Sequence, residues 1–274
     1  MHKFVPGVME NHFPGGFYAS PLRRPGLLAA LSPRASLFFG IVGGPLPWLM
    51  WMTRQGRCDD AAWVYSSLWV LEALESSGFH LEVENLGALR RCSGPCVFVA
   101  NHMSTLETFV LPGIIRPTRP LTFVVKDSLV KMPCFGPIMR SRDPVVVGRV
   151  NPREDLQTVL REGKKRLENG VSIVVFPQST RSVELEMEHF NSIGVKLARA
   201  ACVPAIPLAL KTDAWGSGGK IKEFGRIRPE MPVRFRFGEA IDIKGNGKKE
   251  HLAICDFISR TVRAWQAADG VNRS

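Results

Sequence analysis

From residue 59 onward the apolar positions recur at two alternating periods, and this alternation sets the expected architecture. Asp59 and Asp60 can cap a helix that runs to Ser77 and stops at Gly78. Phe79–Val83 alternates apolar and polar as a half-buried strand does, and Cys96–Ala100 is a short apolar run of the buried-strand kind. Leu121–Val125 and Val145–Val147 are further strands by the same criterion. Asn151-Pro152 makes an N-cap and first-turn pair, and Leu156, Val159/Leu160, Gly163 and Leu167 follow at helical spacing up to Asn169-Gly170. The β-branched run Val171–Phe176 predicts a buried strand, Asn191–Ala201 a helix, and Val203–Leu210 and Val233–Phe237 two more strands. Leu252, Cys255, Ile258, Val262 and Trp265 mark a closing helix. Strands alternating with helices predict an α/β fold with a mixed, largely parallel sheet flanked by helices. Pro204 and Pro207 interrupt one strand. Because proline cannot donate to a ladder, an edge, a bulge or a strand entrance is expected there.

The first 57 residues follow neither period. They carry six Lys/Arg against one acid, Glu10, and hold an uncharged run from Ala35 to Met52. As one helix this run would span about 27 Å, marginally short of a hydrocarbon core of about 30 Å. Gly43-Gly44-Pro45-Leu46-Pro47 sits in its middle, where proline breaks helices. Trp48 and Trp51 fall beside Arg54 and Arg57, an interfacial pattern of aromatics next to cations. A broken interfacial or re-entrant segment, a true span and a buried hairpin all fit; a membrane anchor is the expectation. The predicted organisation is therefore a basic, apolar attachment segment over 1–58 and one α/β domain over 59–274.

Composition narrows the function classes. With 274 residues, 45% hydrophobic and 22% charged, the chain can bury a sizeable core, and disorder is excluded as its dominant state. The six cysteines show no CxxC and no zinc-ligand spacing, so they are read as reduced thiols in a cytosolic compartment. Leu27–Leu31 after Arg23-Arg24 is too short for the apolar core of a signal peptide, and none is expected. A net charge of +11 favours an anionic partner: nucleic acid, anionic lipid or a phosphorylated substrate. No helix-turn-helix, zinc or RNA-module signature accompanies that charge, so a nucleic-acid partner is not expected.

Four segments carry chemistry. Asn101-His102-Met103-Ser104-Thr105-Leu106-Glu107 leaves the strand Cys96–Ala100, with a carboxylate five residues after an imidazole. On one continuous helix the two would not share a face, but they can meet if His102 lies in the loop and Glu107 in the first helical turn. A carboxylate bonded to one ring nitrogen would make the other a better general base. The same residues also read as a capping box, Ser104-x-x-Glu107, before an apolar helix. The second segment, Phe176-Pro177-Gln178-Ser179-Thr180-Arg181-Ser182, gathers hydroxyls, a guanidinium and turn backbone, the ingredients of an oxyanion or phosphate site, or of a solvated surface turn. The third runs from Lys126 through Pro133, Gly136 and Pro137 to Arg140, Arg142 and Arg149, lining an anionic site or forming a solvated basic face. The fourth is the proline-interrupted strand Val203-Pro204-Ala205-Ile206-Pro207.

Taken in this order, the four segments resemble the glycerolipid acyltransferase family of the lysophosphatidic acid acyltransferase type. Its pattern is Asn-His-x4-Asp/Glu, a Lys/Pro/Gly/Arg block, Phe-Pro-Glu-Gly-Thr-Arg-Ser and a Val-Pro-x-x-Pro strand, matched here over roughly residues 80 to 210. The resemblance implies acyl transfer from a coenzyme A or acyl-carrier-protein thioester to a lysophospholipid hydroxyl, most simply that of 1-acyl-glycerol-3-phosphate. It implies His102 as base and Glu107 as its orienting carboxylate, with Lys126, Arg149, Gln178, Ser179, Thr180, Arg181 and Ser182 around the acceptor. It implies no metal and no cofactor beyond the acyl donor, and work at a membrane surface on its cytoplasmic face. Three positions depart from the pattern: Glu107 replaces the commoner Asp, Gln178 the usual Glu and Ser179 the usual Gly. The last two leave open a different lysolipid or an aminolipid acceptor. A basic membrane-binding protein without catalysis is the rival of another class.

Overall fold

A computed structural model describes residues 13, 15–21, 25–133, 135–178, 180–184, 186–216, 218 and 225–271. Along the chain its elements are β1 (Phe17–Ala19), α1 (Leu27–Leu31), α2 (Pro33–Val42), α3 (Pro45–Arg54), α4 (Asp60–Ser76), β2 (Leu81–Glu84), α5 (Gly87–Arg91) and β3 (Val97–Ala100). There follow α6 (Leu106–Ile115), β4 (Leu121–Lys126), α7 (Asp127–Lys131), α8 (Gly136–Arg140) and β5 (Val145–Val147). Helix α9 comprises Pro152–Thr158, a π turn Val159–Gly163, and Lys164–Glu168. The chain continues through β6 (Ser172–Val175), α10 (Ile193–Ala200), β7 (Ala205–Lys211), β8 (Val233–Phe237) and α11 (Lys248–Val271). The expected class, a mixed and mostly parallel sheet flanked by helices, is the one observed. Chain contacts divide it into two compact units: Met1–Leu86, Met103–Pro117 and Leu210–Phe235 form one, and Gly87–His102, Thr118–Ala209 and Arg236–Ser274 the other.

In the first unit, α4 is the central helix. The Asp59 side chain caps it by accepting from Ala62 N at 2.8 Å, and apolar residues around most of its circumference are buried against α2, α3 and α6. The uncharged N-terminal run breaks at Gly43-Gly44, as its glycines and prolines predict, and gives α2 and α3. Pro33–Arg54 is long and apolar enough to cross a membrane by length and composition. Leu37, Ile41 and Leu49 face the protein. Leu27, Leu31, Phe39 and Trp51 point outward, with Leu27 88% exposed. Strand β1, which three residues without alternation do not announce, pairs antiparallel with β2 through Tyr18↔Val83.

Helix α6 contains Pro112, which cannot donate to Thr108 O. Ser67 of α4 repairs the next rung: Gly113 N donates to Ser67 Oγ at 2.8 Å, and Ser67 Oγ donates to Phe109 O at 2.5 Å. A side chain at 113 would crowd this hydroxyl, since its Cβ would lie 2.9 Å from Ser67 Oγ. Ser67→Ala leaves the Gly113 N–H buried and unpaired. It is expected to cost about 1–3 kcal/mol in urea unfolding, whereas Ser67→Thr retains most of the stability.

In the second unit the strands lie in the order β7-β3-β6-β4-β5, all parallel. Strands β3 and β6 are buried at every position, which explains their unbroken apolar runs. Pro204 precedes β7 as a strand entrance, but Pro207 is interior, opposite Val99 of β3. Its missing donor would point to the side where Ala205 exchanges two bonds with Ile241. There the chain leaves strand geometry between Phe237 and Ile241, so no ladder bond is lost. Gly238 makes room for the ring, because a Cβ there would meet Pro207 Cγ at 2.5 Å.

Candidate active site

Because these strands are parallel, the residues that follow them lie along one edge of the sheet. His102 follows β3, the Phe176–Ser182 turn follows β6, Lys126 ends β4 and Arg149 follows β5. Ligands of open parallel sheets bind outside this carboxyl edge. Four sequence segments far apart in the chain thus contribute to one edge of one unit.

His102 is held there by three attachments. Its N–H donates to Gln178 Oε1 at 2.6 Å, and its carbonyl accepts from Ser182 N at 2.9 Å. Its ring stacks on Phe176, with centroids 4.2 Å apart and planes inclined by 18°. Gln178 is only 6% exposed and presents its oxygen to a backbone donor, as a carboxylate at this position also could. The neutral amide does this without burying a charge. The side chain of Asn191 donates to Pro177 O and ties down the same turn. Arg181 and Ser182 are half-buried and Thr180 is exposed, while Ser179 lies outside the described residues.

Lys126 is exposed at the end of β4. Arg149 adopts φ 55°, a left-handed conformation unusual for a residue with a side chain. Asp155 stabilises it by accepting from Gly148 N at 3.0 Å and Arg149 N at 3.2 Å. Neighbouring strands lie about 4.8 Å apart, so the end of β6 is one step from His102 and the end of β5 about 14 Å away. Arg181 is thus better placed than Arg149 to act near the imidazole. Part of the surrounding positive charge is already paired: Arg161, Lys165 and Arg166 hold the Glu162 carboxyl at about 2.

Glu107 belongs to the first unit, in the first turn of α6, and is 0% exposed. Oε1 accepts from Met103 N at 2.8 Å and Ser104 N at 3.1 Å. Oε2 receives the hydroxyls of Ser104 at 3.0 Å and Thr212 at 2.6 Å. Ser104 Oγ in turn accepts from Leu106 N at 3.1 Å. The capping arrangement anticipated for Ser104 and Glu107 is therefore present, and it is what brings a carboxylate into the α6 entrance. Thr212 is not among the residues expected from the sequence. The one signal for it is its position just past a strand of a largely parallel sheet.

Cys92 and Cys96 lie elsewhere in the second unit. A hydrogen bond with Cys96 lowers the Cys92 thiol to about 6 with help from Arg119, while the same bond and burial push Cys96 up. A depressed thiol invites a nucleophilic role. This pair, however, sits before β3, which separates Cys96 from His102 by about 13 Å.

Comparison with known proteins agrees with this geometry. A protein-family model described as Acyltransferase matches residues 80–211, the stretch that holds all four segments. The 1-acyl-sn-glycerol-3-phosphate acyltransferase of Pseudomonas aeruginosa is 28% identical over 204 residues, covering 74% of this chain and 73% of that protein. A probable 1-acyl-sn-glycerol-3-phosphate acyltransferase of Mycoplasma genitalium is 31% identical over 137 residues, or 49% of each chain. The crystal structure of the 1-acyl-sn-glycerophosphate (LPA) acyltransferase PlsC from Thermotoga maritima superposes with a TM-score of 0.59 at 22% identity. It covers 86% of this chain and 96% of that one, which shows a shared fold.

Proposed function

Since the chain belongs to the glycerolipid acyltransferase family, we propose that it transfers a fatty acyl group from an acyl thioester to the free hydroxyl of 1-acyl-sn-glycerol-3-phosphate, giving phosphatidic acid. The observation that carries this reading is the lacing of His102 to the Gln178–Ser182 turn, which joins the first and third motif segments at one sheet edge.

In this mechanism His102 accepts the proton of the acceptor hydroxyl as its oxygen attacks the thioester carbonyl. The C–S bond breaks, an ester bond forms, and the proton passes to the departing thiolate. Glu107 orients the imidazole. Arg181, with Thr180, Ser182 and the more distant Lys126 and Arg149, receives the acceptor phosphate, for which a planar guanidinium fork is suited. The reacting hydroxyl and the phosphate are on neighbouring glycerol carbons, a span of a few bonds, which matches the single strand step from His102 to the turn. Main-chain N–H groups of that turn are the candidates for stabilising the oxyanion. No acyl-enzyme and no metal enters these steps. The outward leucines and aromatics of α1–α3, flanked by arginines, attach the enzyme to the membrane that supplies its acceptor.

By sequence alone, the departure at Gln178 leaves another acceptor open. Its use on the His102 N–H instead favours lysophosphatidate, because the amide is occupied by backbone rather than left for a head group. A panel of lysolipids offered with one acyl-CoA, with products read by mass, tests this. Preferential formation of phosphatidic acid is expected; no product from any lysolipid would leave the non-catalytic membrane-binding protein as the reading. Arg181→Ala is expected to raise the KM for lysophosphatidate at least about tenfold while changing that for acyl-CoA less than about threefold. Equal losses for both substrates would remove the phosphate from this turn.

A further inference from the structure

We infer that Thr212 is a positioning residue for the reaction: its hydroxyl fixes the Glu107 carboxylate in the orientation from which it acts. This rests on the acyl-transfer reading above and extends it to a residue outside the four motif segments.

Three oxygens form a closed triangle. Thr212 Oγ1 is 2.6 Å from Glu107 Oε2, Ser104 Oγ is 3.0 Å from the same oxygen, and the two hydroxyls are 2.9 Å apart. The 2.6 Å edge has the length of a charge-assisted O–H···O⁻ bond, so Thr212 donates to the carboxylate. The donors from Met103 and Ser104 come from within four residues of Glu107 and travel with it. Thr212 approaches from 105 residues away and is held independently.

It is itself fully buried, between Lys211 and Asp213, whose side chains pair at 3.0 Å with Lys211 only 3% exposed. Arg228 donates to Asp213 O at 2.7 Å, Trp215 N to Thr212 O at 3.1 Å, and the buried Trp215 ring stacks on Phe109 of α6. Such a mount does not yield. Glu at 107 has one more rotatable bond than the commoner Asp, hence more freedom to lose, and the Thr212 bond removes it.

The test uses the full chain with lysophosphatidate and acyl-CoA. Thr212→Val, equal in shape but without the donor, is expected to lower kcat about 10- to 100-fold and to move both KM values less than about twofold. Thr212→Ser should return kcat to within about threefold of wild type. In a Glu107→Gln background, Thr212→Val should change kcat by less than about twofold. A second arm needs no substrate: Thr212→Val should lower Tm more in the otherwise wild-type chain than in the Glu107→Gln background. Unchanged kcat in Thr212→Val, equal losses in Val and Ser variants, or equal Tm losses in both backgrounds would overturn the inference. A wild-type chain without turnover but with unequal Tm losses would instead overturn acyl transfer and leave the Thr212–Glu107 bond standing.

Discussion

His102→Ala is expected to lower turnover at least about 100-fold and to leave the fold intact, because a positioned general base contributes about 10²–10⁴ in rate. The two bonds that place residue 102 run through its main-chain N–H and C=O, and alanine keeps both. What the fold loses is the ring stacked on Phe176, a contact of about 0.5–1.5 kcal/mol. Purified variant should therefore melt within a few degrees of wild type while product formation nearly disappears. Near-normal turnover would remove His102 from the base role, and a collapsed melting transition would show the imidazole to be a packing element.

Glu107→Ala should act on both quantities. The carboxylate is wholly buried and receives two backbone N–H groups and two hydroxyls. Alanine leaves these donors facing a cavity, and each buried unpaired group costs about 1–3 kcal/mol. The expected result is a turnover loss comparable to that of His102→Ala, with a clear fall in unfolding midpoint that His102→Ala does not show. Glu107→Gln keeps the shape and one acceptor oxygen, so it should recover most of the stability but little of the rate. If Glu107→Gln turned over like wild type, the charge at 107 would have no part in catalysis, and the residue would be a helix cap alone.

The contrast between these two substitutions also marks how far the sequence could be read. The unbroken apolar runs of β3 and β6 and the Gly43-Gly44-Pro45 break were legible because burial and backbone stereochemistry act residue by residue. The candidate imidazole and carboxylate were legible as spacing. Their supports were not. Gln178 holds a backbone N–H that every non-proline residue possesses, so nothing in the identity of residue 102 announces the bond. Thr212 meets Glu107 across 105 residues, and Ser67 meets the Pro112 defect across 46, distances over which local pattern carries no information. The π turn at Val159–Gly163 lies within a stripe that reads as continuous α-helix. There Gly163 closes on Leu197, a tertiary fit to which helical periodicity is blind.

The main-chain lacing of residue 102 has a practical side. A protein silenced at that position keeps the turn after β6 in its working shape, since none of the anchoring atoms belongs to the deleted ring. Such an inert form should still gather acceptor and donor together without consuming them, and so offers a trap in which the ternary complex can be crystallised.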